Sequence, residues 1–184
     1  MTTWDGDEYQ ARFDELAAGG LDVHGEVGFV CALDPVPASV LDAGCGTGRV
    51  AIELSRRGIT AVGADVDPSM LDHARRAEPQ IEWIEHDLTT LDLGRTFDAV
   101  VMAGNVPLFT PPGTHADLVA GCARHVGQGG ALVAGFQLGR SYSLESFDAH
   151  CSIAGLRLAE RYATWDREPF ATGGDYAVSV HRRP

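Results

Sequence analysis

From residue 39 onward, short apolar runs alternate with stretches whose apolar residues recur every three or four positions. Residues 39–42 form an apolar run ending in an acid. Residues 47–57 place Val50, Ala51 and Leu54 on one helical face, and Gly58 is a natural stop. The pattern then predicts a strand over 60–64 and a helix over 68–77, with Asp67 as N-cap and Pro68 in its first turn. Strands follow over 81–84 and 97–102, a helix over 114–126, a strand over 131–136 and a helix over 144–154 capped by Ser143. Two last strands, 156–165 and 176–181, have no helix between them and are expected to pair antiparallel. Strands that alternate with helices imply a parallel sheet covered on both faces, a doubly wound α/β fold.

Ahead of this alternation the pattern is thinner. Tyr9, Phe13 and Leu16 stand at helical spacing within residues 5–18. A second apolar patch over 27–33 ends at the breaker Asp34-Pro35-Val36-Pro37. The cluster His24-Gly25-Glu26 is placed to cap a helix that follows it.

The segment Asp42-Ala43-Gly44-Cys45-Gly46-Thr47-Gly48-Arg49 lies between the first strand of the alternation and its helix. In an open parallel sheet, ligands bind at the carboxyl ends of the strands. Three glycines without Cβ atoms let the backbone approach such a ligand. The spacing departs from a dinucleotide fingerprint, which asks for glycine at positions one, three and six. Counted from Gly44, the sixth position is Arg49.

Composition narrows the chemistry. The 184 residues suit one domain, since domains typically run to roughly 100–200 residues. All 14 basic residues are arginine, so no P-loop lysine or lysine Schiff base exists. With 26 acids the formal charge is −12, which disfavours nucleic acid and anionic membrane as partners. No apolar stretch approaches the roughly 18 residues of a membrane span. Residues 1–10 carry acids and no base, unlike a secretory leader, so a cytoplasmic protein is expected. Cys31, Cys45, Cys122 and Cys151 form no C-x-x-C pair or zinc-finger spacing and read as buried reduced thiols; no metal is expected.

The segment 41–48 resembles motif I of the class I S-adenosylmethionine-dependent methyltransferases. Further segments follow in that family's order: Val62-Gly63-Ala64-Asp65-Val66-Asp67, Ile84-Glu85-His86-Asp87-Leu88, Phe97-Asp98-Ala99-Val100-Val101-Met102 and Gly129-Gly130-Ala131-Leu132-Val133-Ala134. The resemblance covers roughly residues 38–136. It implies a Rossmann-like, seven-stranded, mostly parallel sheet whose last strand inserts antiparallel. It also implies one domain over 1–184: a helical lid over 1–37, a cofactor-binding core over 38–136, and a helix with a strand pair over 137–184.

The cofactor implied is S-adenosyl-L-methionine, with S-adenosyl-L-homocysteine as product. On this reading Asp42, Gly44, Cys45, Gly46 and Gly48 lie against the methionine end. Asp65, 21 residues after Gly44, accepts from the ribose hydroxyls, a role its position also suggests from a dinucleotide-type fold. Asp87 accepts from the adenine amine, and Val66 and Leu88 flank the ring, although both also suit a plain core. Met70 and Ala103 complete the cofactor set, and Tyr9 and Arg12 would close it from the lid. His86 either touches the ligand or caps its strand.

Methyl transfer from a sulfonium is an in-line displacement, in which orientation alone can supply about 7–11 kcal/mol. A general base is needed only for an acceptor whose proton is tightly held, and no catalytic residue stands out. The acceptor is expected to be a small molecule bound by the loop after the fourth strand. Asn105 and Phe109 from that loop, with His115 and Tyr142, are the candidate substrate residues. Val106 and Leu108 stand where nucleic-acid amino methyltransferases carry Pro and Tyr. His115 is otherwise expected at the surface, and Trp165 and Phe170 as packing; Arg140 could bind a carboxylate of the substrate but is expected first as an ordinary loop charge. The alternatives are a non-catalytic binder of the same cofactor and a nicotinamide-dependent oxidoreductase.

Overall fold

The computed structural model describes residues 25–184; Tyr9, Arg12 and the expected helix over 5–18 lie outside them. Helix α1 (Gly25–Cys31) precedes strand β1 (Ser39–Ala43). Then follow α2 (Arg49–Arg56), β2 (Thr60–Asp65), α3 (Pro68–Ala77), β3 (Glu82–Glu85), β4 (Phe97–Met102), α4 (Val106–Phe109), α5 (His115–Arg124), β5 (Val126–Gln137), α6 (Leu144–Ile153), β6 (Arg157–Tyr162) and β7 (Tyr176–Arg182). The strands form one seven-stranded sheet in the order β3-β2-β1-β4-β5-β7-β6. Pairs from β3 to β5 are parallel, while β7 inserts between β5 and β6 antiparallel to both.

The apolar periodicity explains both faces. On one, Val27, Phe29 and Val30 of α1 and Val50, Ala51 and Leu54 of α2 pack over Val40, Val101 and Val133. On the other, Leu118, Val119 and Cys122 of α5 and Phe147 and Cys151 of α6 cover Leu41, Val100 and Leu132. Side chains alternate along each strand, so neighbouring residues Val100 and Val101 serve opposite layers. The expected caps hold. Asp67 accepts from the backbone N–H of Ser69 and Met70, and Ser143 accepts from that of Ser146. Trp165 packs edge-on to Phe29, and the Arg161 guanidinium lies over Phe170, so both aromatics serve packing as expected.

Two elements depart from expectation. The loop after β4 contains the short helix α4, entered through Asn105 in a left-handed conformation. Helix α5 stops at Arg124, and β5 begins at Val126 rather than 131. His125 accounts for the stop: its Nδ1 donates to the Gly121 carbonyl, and its Nε2 accepts from the Leu93 N–H. Val126 then pairs with Phe97 before the register shifts at the bulge.

Candidate functional site

Chain order reverses across β1, with β2 on one side and β4 on the other. The crevice above such a switch point is where doubly wound sheets bind ligands. The glycine-rich turn rises there from β1, and its three glycines differ in what constrains them. All have positive φ: 79° at Gly44, 53° at Gly46 and 85° at Gly48. A Cβ on Gly44 would lie 2.6 Å from Val106 Cγ2, and one on Gly48 would lie 2.4 Å from the Trp83 ring. Both positions are closed by the protein's own packing. A Cβ on Gly46 would meet nothing within 4 Å among the described residues, so among them the turn leaves bare backbone uncovered here.

Asp65, at the end of β2, holds that bare segment. Its Oδ2 accepts from the Gly46 N–H at 2.8 Å, and its Oδ1 accepts from the Asp67 N–H at 2.9 Å. Each carboxylate oxygen has a second lone pair, so further acceptor capacity remains beside the turn. Helix capping falls to Asp67, as the sequence suggests. Val66, next in the chain, is 52% exposed, which excludes the core role open to it. Leu88 is buried in the core. Met70 and Ala103 are buried as well.

Asp87 follows β3. Its Oδ1 accepts from the backbone and hydroxyl of Thr89, both at 2.8 Å. The His86 Nδ1 donates to the Asp87 carbonyl at 2.9 Å, just after the strand.

Asp42 lies beneath the turn, 1% exposed, and its Oδ2 accepts from the Ala51 N–H at 3.1 Å. Burial pushes its carboxyl up to about 7, against the Ala51 hydrogen bond and the Arg49 guanidinium, which favour the charged form. Arg49 itself forms a two-pronged ion pair with Glu26, at 2.6 and 3.0 Å. The pair clamps α1 to the start of α2. Glu26 lies within α1 and pairs with Arg49 instead of capping the helix that follows its cluster; His24 lies outside the described residues. Cys45 is buried, and burial raises its thiol well above the usual range.

The loop after β4 and the loop after β5 enclose an open cavity of about 290 Å³, lined by Asn105, Leu108, Phe109, Gln137, Arg140 and Ser141. Asn105 ties the two loops together: its Oδ1 accepts from the Gln137 N–H at 2.8 Å. Val106, the next residue, packs against Gly44. One dipeptide therefore joins the cavity to the turn. Of the candidate substrate residues, Asn105 and Phe109 line the cavity, and Phe109 is 70% exposed. Arg140, expected as an ordinary loop charge, stands in its wall.

Tyr142 and His115 are not among the residues that line the cavity. Tyr142 is buried, and its hydroxyl pairs with His150 Nδ1 at 2.7 Å. The expectation that His115 lies at the surface is wrong. It is buried and stacks on Tyr142 with ring centroids 4.1 Å apart. The sequence carried the sign: 115, 118, 119 and 122 follow the i, i+3, i+4, i+7 stripe of a buried helical face. Val106 and Gln137 are the residues the sequence reading missed. Neither has a chemical signature in sequence; each matters through a contact between distant segments. Trp83, equally unremarked, backs both Gly48 and Gly63.

Among the described residues, no helix is long and apolar enough to cross a membrane. Cys31, Cys45, Cys122 and Cys151 are free, and all but Cys31 are buried.

Comparison with known proteins gives a consistent result. Residues 40–130 match a family model described as a methyltransferase domain. The crystal structure of a TehB-like SAM-dependent methyltransferase from Corynebacterium glutamicum superposes with a TM-score of 0.90. It is 34% identical over 97% of this chain and 98% of that one. A trans-aconitate 2-methyltransferase of Azoarcus sp. (strain BH72) is 35% identical over 144 residues, covering 77% of this chain and 53% of the relative. A dTDP-3-amino-3,4,6-trideoxy-alpha-D-glucopyranose N,N-dimethyltransferase of Streptomyces venezuelae is 30% identical over 126 residues, 68% of this chain and 52% of the relative. The chain spans about half the length of these two curated relatives.

Proposed function

The chain belongs to the S-adenosylmethionine-dependent methyltransferase family, and from that premise we propose that it transfers the cofactor's methyl group to a small-molecule acceptor. The observation that carries this reading is the exposed backbone at Gly46. It stands at the switch point of the sheet with its N–H held by the Asp65 carboxylate. Relatives named for trans-aconitate and for a nucleotide-linked amino sugar support a small-molecule acceptor in general terms. The cavity's volume of about 290 Å³ agrees.

The residues present fit the cofactor's parts. Asp65 has acceptor capacity for the ribose hydroxyls, and Asp87 for the adenine amine. Val66 offers an exposed apolar flank to the ring, opposite a wall containing Leu88. The turn Gly44–Gly48 admits the methionine portion over Gly46, with Asp42 beneath. When bound, the sulfonium supplies a methyl group already activated by positive charge. What the chain must add is orientation, and the two loops joined through Asn105 are placed to hold an acceptor beside the turn. No proton-transfer group is assigned.

The test is incubation with S-adenosylmethionine labelled on its methyl group and a small-molecule cell extract. We expect label in a product that is absent with Asp65→Ala. Cofactor binding without any labelled product, across extracts, would instead identify a non-catalytic binder.

A further inference from the structure

We propose that the cavity between the loops after β4 and β5 takes a small organic carboxylate as the methyl acceptor. The carboxylate lies against Arg140 and the side-chain amides of Asn105 and Gln137. The proposal deepens the methyltransferase reading and rests on it.

The argument is an inventory of hydrogen-bonding capacity. Asn105 Oδ1 accepts from the Gln137 backbone N–H at 2.8 Å. Gln137 Oε1 accepts from Arg140 Nε at 3.2 Å. A backbone N–H and a guanidinium can only donate, so both contacts settle which end of each side-chain amide is the oxygen. The carbonyl ends of both amides are thereby engaged. What the two residues retain is their NH2 groups, with two donors each, and one lone pair on each oxygen. Arg140 adds the remaining N–H groups of its guanidinium and makes no ion pair among the described residues. Of the lining side chains, the Ser141 hydroxyl and one remaining lone pair on each amide oxygen can still accept, against a larger number of free N–H donors.

The charge distribution points the same way. The chain carries 26 acids against 14 arginines, yet the lining of this cavity holds an arginine and no acid. A donor-rich wall with one fixed positive charge matches a group that only accepts and carries negative charge, and a planar guanidinium fork matches a carboxylate in shape. A protonated amine would meet Arg140 with no carboxylate to offset the repulsion. A neutral polyol would leave the Arg140 charge without a counter-charge. Leu108 and the exposed ring of Phe109 provide an apolar wall for the remainder of the molecule. The packing of Val106 on Gly44 sets this cavity directly beside the turn.

The test uses protein labelled with nitrogen-15, first titrated with S-adenosylhomocysteine and then, once saturated, with three probes of similar shape: phenylacetate, phenylacetamide and phenethylamine. Phenylacetate should shift the side-chain amide signals of Asn105 and Gln137 and bind at least about tenfold more tightly than phenylacetamide. Phenethylamine should leave those signals unmoved. Arg140→Gln should abolish the preference for the acid, and Arg140→Lys should keep part of it, with affinity for S-adenosylhomocysteine unchanged in both. Equal binding of the amide or the amine, or a preference that survives Arg140→Gln, overturns the proposal while leaving the cofactor reading intact. Failure to bind S-adenosylhomocysteine, with phenylacetate still selected, overturns the methyltransferase reading and the acceptor role with it.

Discussion

The carboxylate of Asp65 receives the backbone N–H of Gly46 at 2.8 Å, from a residue 19 positions earlier in the chain. A single side chain at the end of β2 therefore shapes the one segment of the glycine-rich turn that is left uncovered among the described residues. On the proposed reading Asp65 has two tasks, holding the turn and receiving the cofactor ribose. We predict that Asp65→Ala weakens binding of S-adenosylhomocysteine by at least about tenfold. It should also cost about 1–3 kcal/mol of stability, since a charge-assisted hydrogen bond is lost. Calorimetric titration and a chemical melt read the two effects separately; unchanged affinity would remove Asp65 from the site.

The glycines of the turn should separate by their neighbours. Gly46→Ala meets no atom within 4 Å among the described residues and carries the cost of a left-handed residue, about 1–2 kcal/mol, yet it fills the space proposed for the ligand. Gly44→Ala carries the same strain and also overlaps Val106, for a total of about 2–5 kcal/mol. The expected order is therefore reversed between assays: Gly44→Ala is worse in a melt, whereas Gly46→Ala folds better and binds cofactor poorly. A Gly46→Ala variant with full affinity would contradict backbone approach at this point.

Asp42 should give the protein a pH signature. Its carboxyl is raised by burial from 3.8 to about 7, so the folded state holds its proton where the unfolded chain has lost it. The stability contributed by the neutral acid is complete below about pH 4 and is lost as pH rises towards 7. The slope is about 1.4 kcal/mol per pH unit within that window. Asp42→Asn removes this slope while keeping an oxygen for the Ala51 N–H. Denaturant melts of both proteins at pH 5, 6 and 7 should diverge in slope; parallel curves would mean that Asp42 is already ionised in the fold.

His115 offers a test in the opposite sense. Its Nε2 is buried without a hydrogen-bond partner among the described residues, while its ring stacks on Tyr142. His115→Phe keeps a ring in the stack and removes the unsatisfied nitrogen. The variant should be as stable as the parent, or more so by up to about 1–3 kcal/mol. A clear loss in a melt would show that Nε2 has a partner.

How far the sequence could be read depended on the range of the interactions. The strands, the main helices and the caps Asp67 and Ser143 were legible because each rests on local periodicity or on one residue at a helix start. Asp65 was legible through its spacing from Gly44 at the end of the second strand, and Asp42 and Asp87 through the resemblance to the methyltransferase motifs. The sequence did not reveal which glycine of the turn is left uncovered, because that depends on Val106 and Trp83 closing the other two from distant segments. The end of α5 was misplaced because His125 stops the helix through a bond to Leu93, 32 residues away. The cavity was only half legible. Asn105 and Phe109 lie in a recognisable loop, but the contact that orients Asn105 comes from Gln137, in a different strand.

The central claim is that the turn around Gly46 is built for S-adenosylmethionine. Calorimetric titration with S-adenosylmethionine and S-adenosylhomocysteine, with NADH as control, tests it most directly. The account predicts saturable one-to-one binding of both sulfur compounds and none of NADH. At 100 times its dissociation constant, S-adenosylhomocysteine should also stabilise the fold by about 2.7 kcal/mol. Silence with both sulfur compounds, or binding of NADH in their place, would contradict it.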